Sequence, residues 1–542
     1  MRFADKLVPC LRDLQTQAEA RYHGGTDDES GRRLLGREIF ASSVIWPGYD
    51  KRCSLWYNSA RRQGRKNVDG KRRMESLLWQ WNHGMRRGLC LFLALTFVLC
   101  YSGIWGRRAQ AETVAPDTEW QQAMALLDEM EADTERTFTY QGETFLIREG
   151  LNYANTFLRG TDDYDPFCTA LMEAQLAQSA DQGELFLQAA KLLNAYAVKQ
   201  GYKNYLEYSA WQYGMPSDIS QLTQRIAQSL PMTVRFLLMR NGWLLTPIEA
   251  EGIIDIPAFW EQAARMYGKL SPEYQQLVEE LATSDILEIQ KVDTLSANSM
   301  VSSSGTSVTS VLVSYRDELE FTLMAMHELG HYLHWKSVRE PDVSNYYSII
   351  ETHSTAGALL CAQDMEAYFR QLLGDQDGAF ATLRYLAGAI TNLPGVLMEY
   401  AFLQDVLLDP EAYEPEDLAA LYLQKSLEFG FDGGFSEAYQ MMQGVSWTNE
   451  VLWLAKPGYL AAYGWGNLNA LWMWYQQAQG RDAVEAYNRL LQTAIPDLPL
   501  ETFSRQMGLP DLTDDEAFEG LDDFVYGTLS SLYREVYQKD PL

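Results

Sequence analysis

The run His327-Glu328-Leu329-Gly330-His331-Tyr332-Leu333-His334 decides how this 542-residue chain is read. Beyond residue 111 there are four histidines, His327, His331, His334 and His353, so imidazole is confined to this run and its near neighbourhood. Imidazole is the commonest metal-binding side chain and titrates near neutrality, so its confinement points to a site. Apolar Leu323, Met324, Met326, Leu329 and Leu333 surround the run and predict a buried helix from Asp317 to about Val338, with Asp317-Glu318 at its start. On a helix His327 and His331 share one face, a turn apart. That spacing lets two ring nitrogens reach one Zn²⁺ at roughly 2.0–2.1 Å. Glu328 lies about a hundred degrees round the helix, where it can take a proton from water beside the ion without being a ligand. Two imidazoles without partners would be costly in such a helix, and the H-E-x-x-H pattern of zinc sites accounts for both.

A catalytic zinc needs a third protein ligand and an open fourth position. A third histidine at the metzincin spacing would require Gly at 334 and His at 337, and the chain has His334 and Ser337. A carboxylate from a following helix is the other solution. Glu351, in Tyr346-Tyr347-Ser348-Ile349-Ile350-Glu351-Thr352-His353-Ser354, follows a turn marked by Glu340-Pro341-Asp342 and Asn345. Glu340 and Asp342 compete for the role, but both sit in the turn, where a solvated charge is ordinary. His334 lies on the metal side two turns along and reads as a supporting or substrate-facing catalytic group. His353, two residues past Glu351, falls on a different face and reads as structural.

These residues resemble the thimet oligopeptidase and oligoendopeptidase F family of zinc metallopeptidases, marked by H-E-x-G-H-x-x-H and then E-x-x-S. The matching positions are His327, Glu328, Gly330, His331 and His334, then Glu351 and Ser354. Gly201-Tyr202-Lys203-Asn204-Tyr205-Leu206-Glu207-Tyr208 is similar to a segment of the oligoendopeptidase branch, and Gly458-Tyr459-Leu460-Ala461-Ala462-Tyr463-Gly464-Trp465-Gly466 to the family's tyrosine-rich segment. The chain departs at Ala358, where the family has an acidic residue, and at Ala461, where a further Tyr is common. The resemblance, over residues 115–542, implies a mainly α, gluzincin-type fold. It would be a large helical ellipsoid with a deep substrate channel and a small β-sheet next to the zinc helix. It also implies Tyr459 and Tyr463 as donors to the oxyanion that forms when water adds to a peptide carbonyl.

Outward from the motif the pattern stays helical, as in Glu119 to Met130 and Glu184 to Val198, with a capped start at Ser271-Pro272-Glu273. Thr306 to Tyr315 breaks the rule with β-branched alternation and reads as a strand. It is either an ordinary strand of a small sheet or an exposed edge that pairs with an extended peptide. The expected organisation is a basic extension over 1–84, an export segment over 85–111, an N-terminal helical part over 112–285 and the zinc-bearing part over 286–542.

Charge separates these regions. Residues 1–111 carry 20 basic and 10 acidic side chains, whereas the remainder carries 24 and 63, a net charge of −39. An acidic body of this kind repels phosphate backbones and excludes nucleic acid as a partner. Hydrophobic residues at 47% exclude a disordered chain. The body holds two cysteines, Cys168 and Cys361, which form one bridge or stay as buried thiols.

The stretch from Met85 has Arg86-Arg87, an apolar run over 89–105 and small residues at Ala109 and Ala111, the pattern of a signal peptide cleaved after Ala111. The same run reads as an uncleaved membrane anchor. Either way the acidic body is expected outside the cytoplasm, the basic clusters holding the amino end inside. A true start at Met85 or Met74 is expected, the other reading being a genuine cytoplasmic extension ahead of an anchor.

The expected function is that of an exported, monomeric oligopeptidase with one Zn²⁺ per chain, hydrolysing short unstructured peptides. The alternatives are a cell-surface peptide-binding protein with a structural, non-catalytic zinc, and an anchored interaction domain with an accidental motif.

Overall fold

The computed structural model describes residues 118–542 apart from 133–135, 148–149, 151–152, 155–157, 159–160, 216–218, 245–251, 293–298, 305–306, 338–346, 430–443, 450, 493–499 and 511–514. The basic extension, the export segment and the competitors Glu340 and Asp342 lie outside the described residues. Residues Ala115–Leu542 form one compact unit. Its architecture is mainly helical. In chain order come α1 (Thr118–Ala132), the hairpin β1 (Thr137–Tyr140) and β2 (Glu143–Leu146), α2 (Tyr164–Lys199), α3 (Tyr205–Gln212), α4 (Ile219–Ser229), α5 (Pro231–Leu244), α6 (Ile256–Leu270) and α7 (Pro272–Ala282). A small sheet follows, made of β3 (Leu287–Lys291), β4 (Met300–Ser304) and β5 (Ser307–Tyr315). Beyond it lie α8 (Glu318–Ser337), α9 (Tyr347–Leu360), α10 (Ala362–Leu373), α11 (Asp375–Ala389), α12 (Asn392–Leu408), α13 (Leu418–Glu428), α14 (Pro457–Ala478), α15 (Ala483–Gln492), α16 (Leu500–Met507) and α17 (Leu521–Tyr537).

The expected strand exists, but its edge role is corrected by its neighbours. β5 is the middle strand, parallel to β3 and antiparallel to β4. β3 pairs along Val311–Tyr315 and β4 along Ser307–Leu312, so β5 is an interior strand rather than a sheet edge. Alternation places Val311, Val313 and Tyr315 inward, and beyond a register shift in the β4 ladder Val308 is buried too; all four join the core. The two cysteines are both free and buried.

Helix α8 is buried nearly all round: Leu319, Phe321, Leu323, Ala325, Met326, Leu329 and Leu333 are core residues. A helix apolar on every side belongs to the interior, and its start is fixed there by charge. Asp317 caps it, one oxygen accepting from the amides of Leu319 at 3.1 Å and Glu320 at 3.0 Å. The other oxygen pairs at 2.5 Å with Arg384 of α11, and both side chains are almost wholly enclosed. Glu318 accepts from the amides of Gly252 and Ile254, each at 2.8 Å, which ties the same turn to the loop before α6.

Breaking a buried ion pair by removing one partner strands a desolvated charge and costs about 3–5 kcal/mol. Arg384→Leu is therefore expected to lower stability by about that amount. Chemical denaturation checks it, and Asp317→Asn added to Arg384→Leu should recover part of the loss.

Candidate metal centre

Helices α8 and α9 run against each other at Gly330, where α8 has no room for a side chain. A Cβ on Gly330 would stand 2.5 Å from the Ser354 Cα and 2.7 Å from the His353 carbonyl oxygen. One turn further along α9, a Cβ on Gly357 would lie 2.6 Å from the hydroxyls of both Tyr267 and Tyr487. Those hydroxyls donate to main-chain carbonyls of the two helices, Tyr267 to Met326 at 2.7 Å and Tyr487 to His353 at 3.2 Å. The pair is thus held backbone to backbone.

This approach delivers Glu351 to the histidines. The ligand atoms of His327, His331 and Glu351 all lie within 4.8 Å of one another. Glu351 Oε2 is 3.6 Å from His327 Nε2 and 3.8 Å from His331 Nε2. A tetrahedral ion with bonds near 2.0–2.2 Å separates its ligands by about 3.4 Å, so the three donors fit one divalent ion. The two rings stand nearly perpendicular, with centroids 4.9 Å apart. Ser354 supports the carboxylate, its Oγ donating to the Glu351 carbonyl at 3.0 Å and approaching Oε2 at 3.4 Å. Tyr463 of α14 adds a hydrogen bond to the same carboxylate and is itself bonded to Tyr459.

The electrostatics of the unliganded group favour a cation. Burial lowers His327 to about 4. Burial, aided by His327 and His334, pushes His331 well below the usual imidazole range. Both rings are neutral and ready to ligate, without a proton to displace. Burial raises Glu351 to about 7, against the pull of the Tyr463 and Ser354 hydrogen bonds. Glu328, 4% exposed, is raised well above the usual carboxylate range, first by burial and then by the charge on Glu351. One of its oxygens is enclosed without a hydrogen-bond partner among the described residues. Two carboxyl groups desolvated beside each other need a positive charge or a proton.

His334 is not brought into this group. It is fully buried, and its ring stacks on that of His353 with centroids 4.0 Å apart and planes 26° apart. Burial lowers it to about 4, opposed by the main chain of Leu491, so it packs as a neutral ring between helices rather than facing a substrate. Sequence reasoning put His353 and His334 in separate roles, yet the crossing at Gly330 makes them one stacked pair. Tyr267 and Tyr487 escaped notice altogether. The available signal was Gly357, a glycine inside a helix with no turn to make.

No family model matches the chain, and no curated protein matches it in sequence. Solved structures do match. PZ peptidase A, determined with an inhibitor, has a TM-score of 0.57 at 15% identity over 77% of this chain and 78% of its own. An oligoendopeptidase-F from Enterococcus faecium has a TM-score of 0.54 at 15% identity over 99% of both chains. The fold is shared with these peptidases. The mainly helical expectation, with its small sheets, is therefore met.

Alanine at an exposed or neutral helix position gains about 1 kcal/mol over glycine, whereas forced overpacking costs about 1–3 kcal/mol. At position 330 the neighbour is backbone and cannot yield, so packing wins. Gly330→Ala is expected to lower the melting temperature and, if the three donors hold a divalent ion, to weaken its binding at least about tenfold, as outer supports of metal ligands do. Calorimetric titration with Zn²⁺ and a thermal melt check both, and unchanged affinity would detach the ligand geometry from this crossing.

Proposed function

We propose that the protein is a zinc-dependent oligopeptidase that hydrolyses short peptides, with one Zn²⁺ per chain held by His327, His331 and Glu351. The observation that carries the reading is the convergence of those three donors beside an enclosed Glu328 carboxyl oxygen that has no partner among the described residues. Two imidazoles and a carboxylate are the donor set of a catalytic rather than a structural zinc, which would fill all four positions with protein ligands. When bound, such an ion supplies Lewis-acid chemistry, polarising a carbonyl and making water more acidic. The shared fold with two peptidases supports the same reading.

The chain's own residues divide the remaining work. Glu328 takes the proton from the attacking water and passes it to the departing amine. Its raised proton affinity suits both steps, since a carboxylate of ordinary acidity would be a poor donor to an amine. Tyr463 keeps Glu351 oriented through its hydrogen bond. Tyr459, bonded to Tyr463, is the donor to the oxyanion. Export of the acidic body, with 85–111 as a signal peptide or anchor, belongs to the same proposal, as does a monomeric state. The sequence pattern supports export.

Glu328→Gln should bind zinc like the parent while kcat falls roughly a hundredfold to ten-thousandfold. Zinc content by elemental analysis and turnover of a quenched-fluorescent peptide read the two quantities, and retained turnover would defeat the mechanism. Chelator should abolish activity and added Zn²⁺ restore it.

The two tyrosines should separate in the same assays. Tyr459→Phe is expected to lower kcat about a hundredfold with zinc affinity intact. Tyr463→Phe is expected to weaken zinc about 10- to 100-fold. The reverse pattern would exchange their roles.

A further inference from the structure

A cavity of about 470 Å³ is lined by both tyrosines and walled by α12, α13, α14 and the 3-10 turns Ser446–Asn449 and Val451–Ala455. Tyr463 lines it and also bonds Glu351, so cavity and metal centre share a wall. Val396, Met398, Trp453 and Tyr459 make the lining largely apolar and aromatic. One carboxylate, Glu399, is set into it, 8% exposed. The Tyr422 hydroxyl donates to Glu399 Oε1, and this neutral donor orients the group. Lys456 stands over the rings of Trp453 and Tyr459, 4.7 and 5.5 Å from their centroids.

We propose that this cavity is the specificity subsite of the same reaction, and that Glu399 selects a basic peptide side chain near the bond to be cut. The inference rests on the peptidase reading and names its substrate class. A volume in the ordinary ligand range is ample for one long side chain. Lysine and arginine match the lining in order: an apolar stem for the aromatic and aliphatic walls, then a cationic head for the carboxylate. An aromatic wall also attracts a cation through its ring faces. An acidic peptide side chain would bring a second carboxyl group into an enclosed space beside Glu399, which disfavours it. The net charge of −39 beyond residue 111 draws basic peptides to the protein in the first place.

The test uses the zinc-loaded full chain and quenched-fluorescent peptides identical except at one position, varied through Lys, norleucine and Glu along the positions flanking the cut. At one position kcat/KM should favour Lys over norleucine about tenfold or more, the scale of a charge-assisted hydrogen bond, and Glu should be disfavoured. Glu399→Gln should shrink the Lys to norleucine ratio to a few-fold, and Glu399→Lys should turn the preference toward Glu. The ratio is internal to each variant, so a general loss of activity does not mimic the effect. The parent enzyme also stands without any variant, because a flat ratio at every position overturns the inference. A preference that Glu399→Gln leaves unchanged overturns the subsite and spares the peptidase reading. Absence of cleavage of every peptide with zinc bound overturns the peptidase reading and this inference with it.

Discussion

The contact between Gly330 and the His353–Ser354 backbone is the constraint on which the centre depends. A carboxylate side chain is short, and Glu351 reaches His327 and His331 only because its helix is pressed onto theirs. The surrounding structure enforces that distance from several sides. Tyr267 and Tyr487 hold a carbonyl of each helix, and Asp317 with Arg384 pins the start of α8. Close packing of this kind is stiff, since protein interiors leave few voids for a helix to drift into. A ligand set assembled from two helices gains its precision from that stiffness.

Packing must supply this precision because the electrostatics of these side chains by themselves work against it. His327 and His331 are driven neutral and Glu351 and Glu328 are driven toward their protonated forms, with burial the leading cause in all four. Every shift has the direction that desolvation dictates, and the neighbouring His327, His334 and Glu351 add to it at His331 and Glu328. Hydrogen bonds from Tyr463 and Ser354 oppose the shift on Glu351 without cancelling it. The protein thus enforces an arrangement of side chains that is unfavourable until a divalent charge enters, a condition that makes a site selective for a cation.

What could be read from the sequence follows the range of the interactions. The H-E-x-x-H spacing is local to one helix, so the placement of His327, Glu328 and His331 needed only helical periodicity. The capped helix starts at Asp317 and Ser271 were legible for the same reason. Glu351 required one turn between neighbouring helices and the resemblance to a family. The central place of β5 was not legible, because its parallel partner Leu287–Lys291 is short, mostly exposed and joined to it by no local pattern. Nor was the stack of His334 on His353, which depends on the angle at which two helices cross. Glu399 drew no notice, since a single Glu in an apolar helix carries no spacing and gains meaning only from the walls that α13 and α14 bring to it.

The wall between cavity and metal centre explains why tyrosine, rather than another aromatic residue, stands there. Tyr459 and Tyr463 pack ring to ring, with centroids 4.9 Å apart, and Trp453 lies parallel to Tyr459 at 5.7 Å. The ring faces give the cavity an apolar surface, while the hydroxyls point their bonds at each other and at Glu351. Burial with Glu351 as close neighbour holds the Tyr463 hydroxyl well above its usual acidity range, so it stays a donor. Phenylalanine would keep the wall and lose the tie to Glu351. A shorter polar residue would keep the tie and open the wall. Only a side chain apolar along its body and polar at its tip can serve both compartments from one position on α14.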